Sequence, residues 1–352
     1  MRVAPLGGRT PASWSCCPSG TSVPVGRNPL YWRSASDRET RMKTLRRLRL
    51  AAACLGALLL SGVPGGAATY TDFNVPGARS TTLSDISNGV MTGFYQDEAL
   101  TFHSFTYDGS LHLLADAPFS AASAGTSAYA ISGTFVVGEA GSDSRSHAFI
   151  LIDNSYVPLD NAAPNLSTTA RGIEAGRVVG YYLDLQAQSH GFIFNGSSYV
   201  TVNDPLSTDG TTLNGISGNH IIGTSSARSF IYDGTTFVTI PKPAGSSDFL
   251  VLGIDGINLV GQYRDSQHEL HGFFYNGSSY LTLDAPMPGA TNTKINGIEG
   301  NTLTGSYNDQ NGIAHGLIVI VPEPAGGALM AAALVVLIGT GRWRGEGAGF
   351  RI

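Results

Sequence analysis

The feature that most constrains this chain is an internal repeat of about 40 residues. An apolar residue, phenylalanine in five units and leucine in the sixth, recurs with gaps of 44, 43, 38, 43 and 44 residues. These positions are Phe105, Phe149, Phe192, Phe230, Phe273 and Leu317. A histidine lies two residues before this position in every unit except the fourth, which has Arg228 there. Such a period predicts a fold built from one supersecondary unit that packs against copies of itself.

Each unit carries the signals of four short β-strands. The first strand ends at an isoleucine, the second has a central glycine, and the third contains the His-x-Phe pattern. Asn-Gly and Asp-Gly pairs follow the third strand, as tight hairpins require. No stretch of the repeat region has the 3.6-residue apolar period of an amphipathic helix. Four strands per unit predict an all-β, six-bladed β-propeller over residues 69–320.

The two ends of the repeat region are offset from one another. The segment from Tyr70 to Ala78 resembles a fourth strand, whereas the last unit stops after its third strand at Ile320. We therefore predict that the N-terminal strand completes the last blade, which removes the exposed edges of an open array. An open β-repeat array is the alternative, and it would have no use for this offset.

The start of the chain has the organisation of an export signal. Residues 42–68 contain a basic start, an apolar run at 51–60 and small residues that end at Ala68. This order predicts a secretory signal peptide cleaved after Ala68. A membrane anchor would need about 20 apolar residues, more than this segment has. Residues 1–41 precede a complete signal and are interpreted as an upstream extension from a mis-assigned start.

The exported segment 69–324 is acidic and has no cysteine. It holds 8 Lys and Arg residues against 23 Asp and Glu residues, a net charge of −15. Such a surface repels phosphate backbones, so no nucleic-acid partner is expected. An exported domain without cysteine has no disulfides and must rely on its core.

The end of the chain carries a short motif followed by an apolar span. Val321, Pro322, Glu323 and Pro324 precede the uncharged residues 325–341, and Arg342 and Arg344 follow that span. This arrangement resembles the PEP-CTERM sorting signal of Gram-negative bacteria. The resemblance implies one C-terminal transmembrane helix at 325–341, a basic tail at 342–352 and processing by an exosortase-type enzyme near the triplet. A permanent anchor is the alternative, although 17 residues reach only about 26 Å against a bilayer core of about 30 Å.

A second resemblance concerns the repeats themselves. The triplet His147-Ala148-Phe149 and its glycine-containing relatives resemble the extracellular HAF repeat family over most of residues 69–320. The two resemblances together imply an inner-membrane-anchored intermediate that is later released to the cell surface or extracellular matrix.

Four units contain an aspartate six residues before the repeated histidine. The pairs are Asp97 with His103, Asp184 with His190, Asp265 with His271, and Asp309 with His315. A carboxylate-oriented imidazole is suited to metal binding or proton transfer. Because the pair recurs in unit after unit, we favour a structural role in which each blade ties down its own turn. No cofactor and no metal site are predicted.

Only residues that differ between units can build one unique site. Candidates are His268 and Glu269 beside His271, and the acidic residues Glu98 and Glu139. Paired carboxylates serve glycosidases, but the sequence does not bring any two of these together. The tyrosines at 181, 182, 199, 263, 275 and 280 are expected to pack between blades. No phosphate-binding loop and no motif of a serine or cysteine nucleophile is present.

The sequence therefore favours an exported surface or matrix protein, adhesive or associated with exopolysaccharide. The alternative is an extracellular polysaccharide hydrolase or lyase with its site on the propeller face.

Overall fold

The computed structural model describes residues 67–142, 145–160, 165–226 and 228–322. Predictions for the upstream extension, for most of the signal peptide, and for Glu323, Pro324, the span 325–341, Arg342 and Arg344 lie outside these residues. Within the described ranges, no helix is long and apolar enough to cross a membrane.

The described chain consists of 24 strands in six four-stranded antiparallel sheets. Blade 1 contains β2 (Ser80–Ser87), β3 (Val90–Gln96), β4 (Phe102–Tyr107) and β5 (Leu111–Leu113). Blade 2 contains β6 (Thr126–Ser132), β7 (Phe135–Gly141), β8 (Ser146–Ile152) and β9 (Ser155–Pro158). Blade 3 contains β10 (Ser167–Glu174), β11 (Arg177–Leu183), β12 (Ser189–Phe194) and β13 (Tyr199–Val202).

The second half of the ring follows the same order. Blade 4 contains β14 (Thr211–Ser217), β15 (His220–Ser225), β16 (Ser229–Tyr232) and β17 (Phe237–Thr239). Blade 5 contains β18 (Phe249–Asp255), β19 (Asn258–Arg264), β20 (Leu270–Tyr275) and β21 (Tyr280–Leu283). Blade 6 contains β22 (Thr291–Glu299), β23 (Thr302–Asn308), β24 (Ala314–Ile320) and, as its outer strand, β1 (Thr69–Phe73). The prediction of an all-β, six-bladed propeller is confirmed, and the structure is not an open array.

The outer strand of blade 6 comes from the other end of the repeat region. β1 runs antiparallel to β24, from Thr69 opposite Ile320 to Phe73 opposite Gly316. In every other blade the four strands follow one another in the chain. Blade 6 therefore combines three strands from one end of the repeat region with one strand from the other.

The repeated glycine and the repeated phenylalanine are explained by one contact. A Cβ atom at Gly180 would lie 2.0 Å from the carbonyl oxygen of Thr169 and 3.0 Å from the ring of Phe192. Phe192 has no exposed surface. The second strand thus leaves room for the ring of the third, and the phenylalanines become the largest members of a core that lies between neighbouring blades.

The two faces of the ring are distinguished by their turns. The upper face, as we call it, carries the turns between second and third strands and the connections between blades. The lower face carries the turns between first and second strands and between third and fourth strands. Residues Thr69 and Ile320 pair with each other at the lower face.

Hydrogen bonds along the lower face join blade to blade. Glu299 of blade 6 accepts from the backbone nitrogens of Asn88, at 2.5 Å, and Gly89, at 2.8 Å, in blade 1. Equivalent bonds link Glu174 to Gly218 at 2.6 Å and Asp255 to Gly300 at 2.7 Å. The ring is therefore continuous between its last and first blades.

Candidate functional site

The structure brings each predicted Asp–His pair together at the upper face. The distances from the histidine Nε2 to the carboxylate are 3.3 Å for His103–Asp97, 3.1 Å for His190–Asp184, 3.5 Å for His271–Asp265 and 3.8 Å for His315–Asp309. Each aspartate also holds the backbone of its turn. Asp184, for example, accepts from the nitrogens of Gln186 and Gln188 at 2.9 Å.

The other ring nitrogen of each histidine has a partner that the sequence analysis missed. This partner is an Asp or Asn on the connection that follows the outer strand, thirteen residues further along the chain in four blades. The Nδ1 distances are 3.0 Å to Asp116, 2.7 Å to Asp160, 3.1 Å to Asn203, 3.0 Å to Asp284 and, in blade 6, 3.0 Å to Asn74. The constant spacing of thirteen residues between the histidine and this partner was the signal in the sequence that could have predicted the contact.

These histidines are also packed against aromatic rings. Tyr182 stacks on His190 and Tyr263 on His271, with ring centroids 5.1 and 5.2 Å apart. Within the described ranges, no group of three or more His, Cys, Asp or Glu side chains is arranged to hold a metal ion. Imidazoles fixed on two sides and stacked on a third serve to connect strands and turns, and we call each such set a histidine box.

Blade 4 replaces its histidine box with an ion pair. Arg228 donates to both carboxylate oxygens of Asp204, from Nε at 3.0 Å and from Nη2 at 2.8 Å. The Asp204 side chain is fully buried and that of Arg228 is 12% exposed. A bidentate arginine thus ties this shorter blade to the connection that leaves blade 3.

The histidine box of blade 5 predicts a pH-dependent stability. Burial alone would lower the pKa of His271, but Asp284 and Asp265 outweigh it and raise the pKa. The charged pair therefore stabilises the fold below about pH 6.5 and stops doing so as the pH rises through the raised pKa. We expect Asp284→Asn to lower the Tm by about 2 °C near pH 5.5 and by much less near pH 9. Thermal denaturation at both values checks this.

A matched variant separates this effect from the loss of any surface carboxylate. Asp248 faces Arg264 at 3.6 Å and is not one of the ion-pair partners of His271, which are Asp265 and Asp284. Asp248→Asn is expected to have the same small effect at both pH values, because arginine stays charged. An equal Tm change for Asp284→Asn at the two pH values would show that the charge of His271 does not contribute to its interaction with Asp284.

The unique residues named from the sequence do not form one site. Glu98, Glu269 and His268 are exposed and lie in turns of blades 1 and 5. Glu139 instead lies in blade 2, on the second strand, with its carboxylate bound to two hydroxyl groups. The structure therefore does not bring Glu98, Glu139 and Glu269 together, because these residues belong to different blades.

The units differ most where their inner strands line the centre of the ring. A cavity of about 540 Å³ lies there and is lined by residues of all six blades. Three buried isoleucines, Ile173, Ile216 and Ile254, line its lower part, and no turn of the lower face contributes to it. We call this cavity the cup, and it opens at the upper face.

Two sets of pseudo-equivalent positions contribute to the cup. The first lies at the β-bulge of each inner strand and reads, from blade 1 to blade 6, Ser84, Tyr129, Arg171, Asn214, Leu252 and Asn296. The second lies on the neighbouring strand and reads Phe94, Glu139, Tyr181, Thr224, Gln262 and Ser306, all of which except Glu139 line the cup. The buried phenylalanine position keeps a large apolar residue in all six blades, whereas these positions carry aromatic, charged, amide and hydroxyl groups.

Blades 2 and 3 supply one wall of the cup. The Tyr129 hydroxyl donates to Glu139 at 2.7 Å, and the hydroxyl of Thr169 donates to the other carboxylate oxygen at 2.7 Å. The Arg171 guanidinium lies over the Tyr129 ring, 4.2 Å from its centroid, and 5.8 Å from that of Tyr181. Tyr181 lines the cup. It is thus an exception to the expected packing of tyrosines between blades, whereas Tyr199 and Tyr280 pack against core clusters shared by two neighbouring blades, as predicted.

The protonation of this wall follows from its surroundings. Burial, and then the charge of Glu139, raise the pKa of Tyr129, so its hydroxyl remains a donor. Burial would lower the pKa of Arg171, but Tyr129, Tyr181 and Glu139 outweigh it and raise the pKa. The wall therefore presents a permanent cation and a protonated Tyr129 hydroxyl.

Asp85 differs from the residues at the equivalent position of the other five blades, directly after the β-bulge of the inner strand. Its equivalents are small: Ala130, Gly172, Gly215, Gly253 and Gly297. Asp85 lines the cup and accepts from the backbone nitrogen of Ile131 at 3.0 Å. Burial raises the pKa of this carboxyl to about 7, against the opposing effect of its backbone hydrogen bonds.

Sequence reasoning missed this site for an identifiable reason. It searched for clusters close together in the chain, whereas the cup takes between two and five residues from every unit. Aligning the six units and asking which inner-strand position differs in each would have found Tyr129 and Arg171.

No family model matches the sequence, and no curated protein matches it. Among solved structures, TolB from Acinetobacter baumannii aligns over 71% of this chain and 66% of its own, at 11% identity and a TM-score of 0.42. An Aleuria aurantia lectin mutant in complex with a fucoside aligns over 75% and 97%, at 11% identity and a TM-score of 0.39. Trypanosoma rangeli sialidase aligns over 78% and 62%, at 8% identity and a TM-score of 0.45.

This chain therefore covers less than two thirds of TolB and of the sialidase. At such identities the likeness concerns the fold alone, and the chemistry of the cup must be argued from its own residues.

Proposed function

We propose that this protein is an exported carbohydrate-binding propeller of the cell surface or extracellular matrix, adhesive or associated with exopolysaccharide. The observation that carries the proposal is the cup, where six otherwise similar units present different side chains. Its walls combine the flat rings of Phe94 and Tyr181 with amide, hydroxyl and guanidinium groups. Aromatic faces pack against the C–H faces of sugar rings, and planar polar groups hydrogen-bond to neighbouring hydroxyls. A volume of about 540 Å³ is in the range of small-ligand sites.

The position of the chain ends supports presentation of the cup outwards. Ile320 lies at the lower face, opposite the mouth of the cup, and Val321 is buried there with its nitrogen bonded to Asn301 at 2.9 Å. A transmembrane helix at 325–341, as the PEP-CTERM resemblance implies, would hold the lower face towards the inner membrane. An exosortase-type enzyme is the proposed processing partner, and release would then deliver the propeller to the surface or matrix.

The first strand has a proposed role in this architecture. β1 supplies the outer strand of blade 6, and Asn74, just beyond it, supplies the partner of His315 at 3.0 Å. We infer that β1 closes the propeller, since it fixes one end of the repeat region to the other. Exported proteins without disulfides need such closure to resist opening at their edges.

Binding by residues 69–322, which contain every strand of the ring, tests the proposed function. We expect saturable binding to at least one member of a panel of bacterial exopolysaccharide fragments by calorimetry, and no requirement for calcium. Tyr181→Ala is expected to weaken that binding about tenfold, because it removes a stacking surface. Tyr95→Ala is the matched control, since Tyr95 packs against His103 outside the cup. Flat traces across the panel, or equal losses in the two variants, would contradict the proposal.

One observation favours an extracellular polysaccharide hydrolase or lyase as a second candidate. Asp85 lines the cup with its pKa raised to about 7 by burial. A carboxyl group that is half protonated near neutral pH suits a general acid. Incubation of each bound polysaccharide with the protein, followed by measurement of new reducing ends and unsaturated products, decides between binding and turnover. Product formation that Asp85→Asn abolishes would replace the binding proposal.

A further inference from the structure

Two cationic side chains and one carboxyl group, that of Asp85, line the cup of a strongly acidic domain. Only 8 Lys and Arg residues occur in the segment 69–324, against 23 Asp and Glu residues. Lys294 and Arg171 both line the cup. They belong to blades 6 and 3, which lie opposite one another in a ring of six, so the two cations face the cavity from opposite walls.

Neither cation forms a direct ion pair with a carboxylate among the described residues. Among the described residues, three arginines pair with a carboxylate: Arg177, Arg228 and Arg264. Neither Arg171 nor Lys294 forms such a pair. Both oxygens of Glu139, the carboxylate beside Arg171, already accept from hydroxyl groups. A partly buried cation without a direct ion pair is costly to the fold, and an anionic ligand would offset that cost.

Two further polar atoms at the cup lack a hydrogen bond. The hydroxyl of Ser84 and the side-chain carbonyl oxygen of Gln262 are buried and have no partner among the described residues. Ser84 is 6% exposed and, like Gln262, lines the cup. Their blades, 1 and 5, flank the blade of Lys294. Buried polar groups without a partner are rare, and sugar hydroxyl groups would satisfy both a hydroxyl and an amide oxygen.

We infer that the ligand of the cup is an acidic saccharide, whose anionic group lies between Arg171 and Lys294 while its hydroxyl groups bind Ser84 and Gln262. The charge is carried by the carboxylate of a uronate or by a sulfate ester, since both offer the oxygens that a guanidinium fork binds. The ring of Tyr181 lies near Arg171, where it would contact the apolar face of the sugar. This inference rests on the proposed carbohydrate-binding function and adds the class of sugar.

Calorimetry with matched probes tests the charge directly. The probes are the trisaccharide of galacturonate, its methyl ester, a sulfated galactose trisaccharide and an uncharged glucose trisaccharide. We expect the galacturonate or the sulfated probe to bind at least about tenfold more tightly than both uncharged probes. Binding of only one of the two anionic probes assigns the charge to carboxylate or to sulfate.

The variants assign the effect to the cup. Arg171→Gln and Lys294→Gln are each expected to remove most of the preference for the anionic probe while leaving weak binding of the uncharged probes. Arg79→Gln is the matched control, because Arg79 is exposed and lies outside the cup. Circular dichroism of each variant checks that the propeller is intact. If Arg171→Gln does not fold, the charge preference of Lys294→Gln tests the assignment to the cup.

The failures are distinguishable. Binding of the uncharged probes that is as tight as that of both anionic probes, or tighter, would overturn this inference and leave the carbohydrate-binding proposal standing. Loss of the charge preference in Arg79→Gln but not in Arg171→Gln and Lys294→Gln would overturn the assignment to the cup. No binding of any probe, neutral or acidic, would contradict both this inference and the function on which it rests.

Discussion

A protein that begins at Val75, and therefore lacks β1, is expected to lose about 3–6 kcal/mol of its free energy of unfolding and about 10 °C in Tm relative to residues 69–322. The truncation removes five residues paired with β24 and uncovers its edge. It also removes Phe73, which stacks on Phe105 with ring centroids 5.7 Å apart. Chemical denaturation, followed by circular dichroism, measures the change.

Addition of the missing strand in trans provides the control. A peptide of residues 67–78 should bind the truncated protein and raise its Tm with peptide concentration, as a ligand of the folded state does. A peptide of the same composition in scrambled order should have no effect. A truncated protein with unchanged Tm would show that β1 does not close the propeller.

The second large effect is expected at the glycine of the second strand. Gly180→Ala should cost about 3 kcal/mol, because the new Cβ would lie 2.0 Å from the Thr169 carbonyl oxygen. Gly300→Ala is the matched control, since Gly300 has a φ of +58° and a Cβ added there would have no atom within 4 Å. That control should cost only about 1 kcal/mol, from backbone strain alone. Urea denaturation midpoints of the two variants give the comparison.

A double variant tests which contact matters. Blade 6 keeps its glycine, Gly305, although Leu317 replaces the phenylalanine, and the added Cβ would again lie 2.0 Å from a carbonyl oxygen, that of Lys294. The backbone contact therefore accounts for the glycine. We expect Phe192→Leu not to rescue Gly180→Ala. Restoration of wild-type stability by the double change would instead assign the clash to the ring.

The architecture could be predicted because every repeat unit carries the same strand and turn signals. The repeated isoleucine, glycine and phenylalanine each satisfy one local requirement of a blade, and six copies average out the ambiguity of short apolar runs. The predicted strand boundaries are close to those observed. β2, for instance, ends at Ser87, one residue beyond the predicted Ile86. The offset of the ends likewise pointed to the strand that pairs as β1.

The cup was not predicted because its residues share no neighbourhood in the chain. Tyr129 and Arg171 are 42 residues apart and meet only because their blades are adjacent. The bulge that turns both side chains to the centre shows in the strand register and not in the amino-acid pattern. The Asp–His pairs of the histidine boxes, in contrast, could be identified from the sequence because they recur at the same spacing. In this protein such recurring pairs connect strands and turns.

The most direct test of this account is a crystal structure of residues 69–322 soaked with the tightest-binding oligosaccharide. We predict ordered sugar density in the cup, with an anionic group within hydrogen-bond distance of Arg171 and a sugar face against Tyr181. Sugar density confined to the outer strands or the lower face, with the cup holding none, would contradict the assignment of the cup as the binding site.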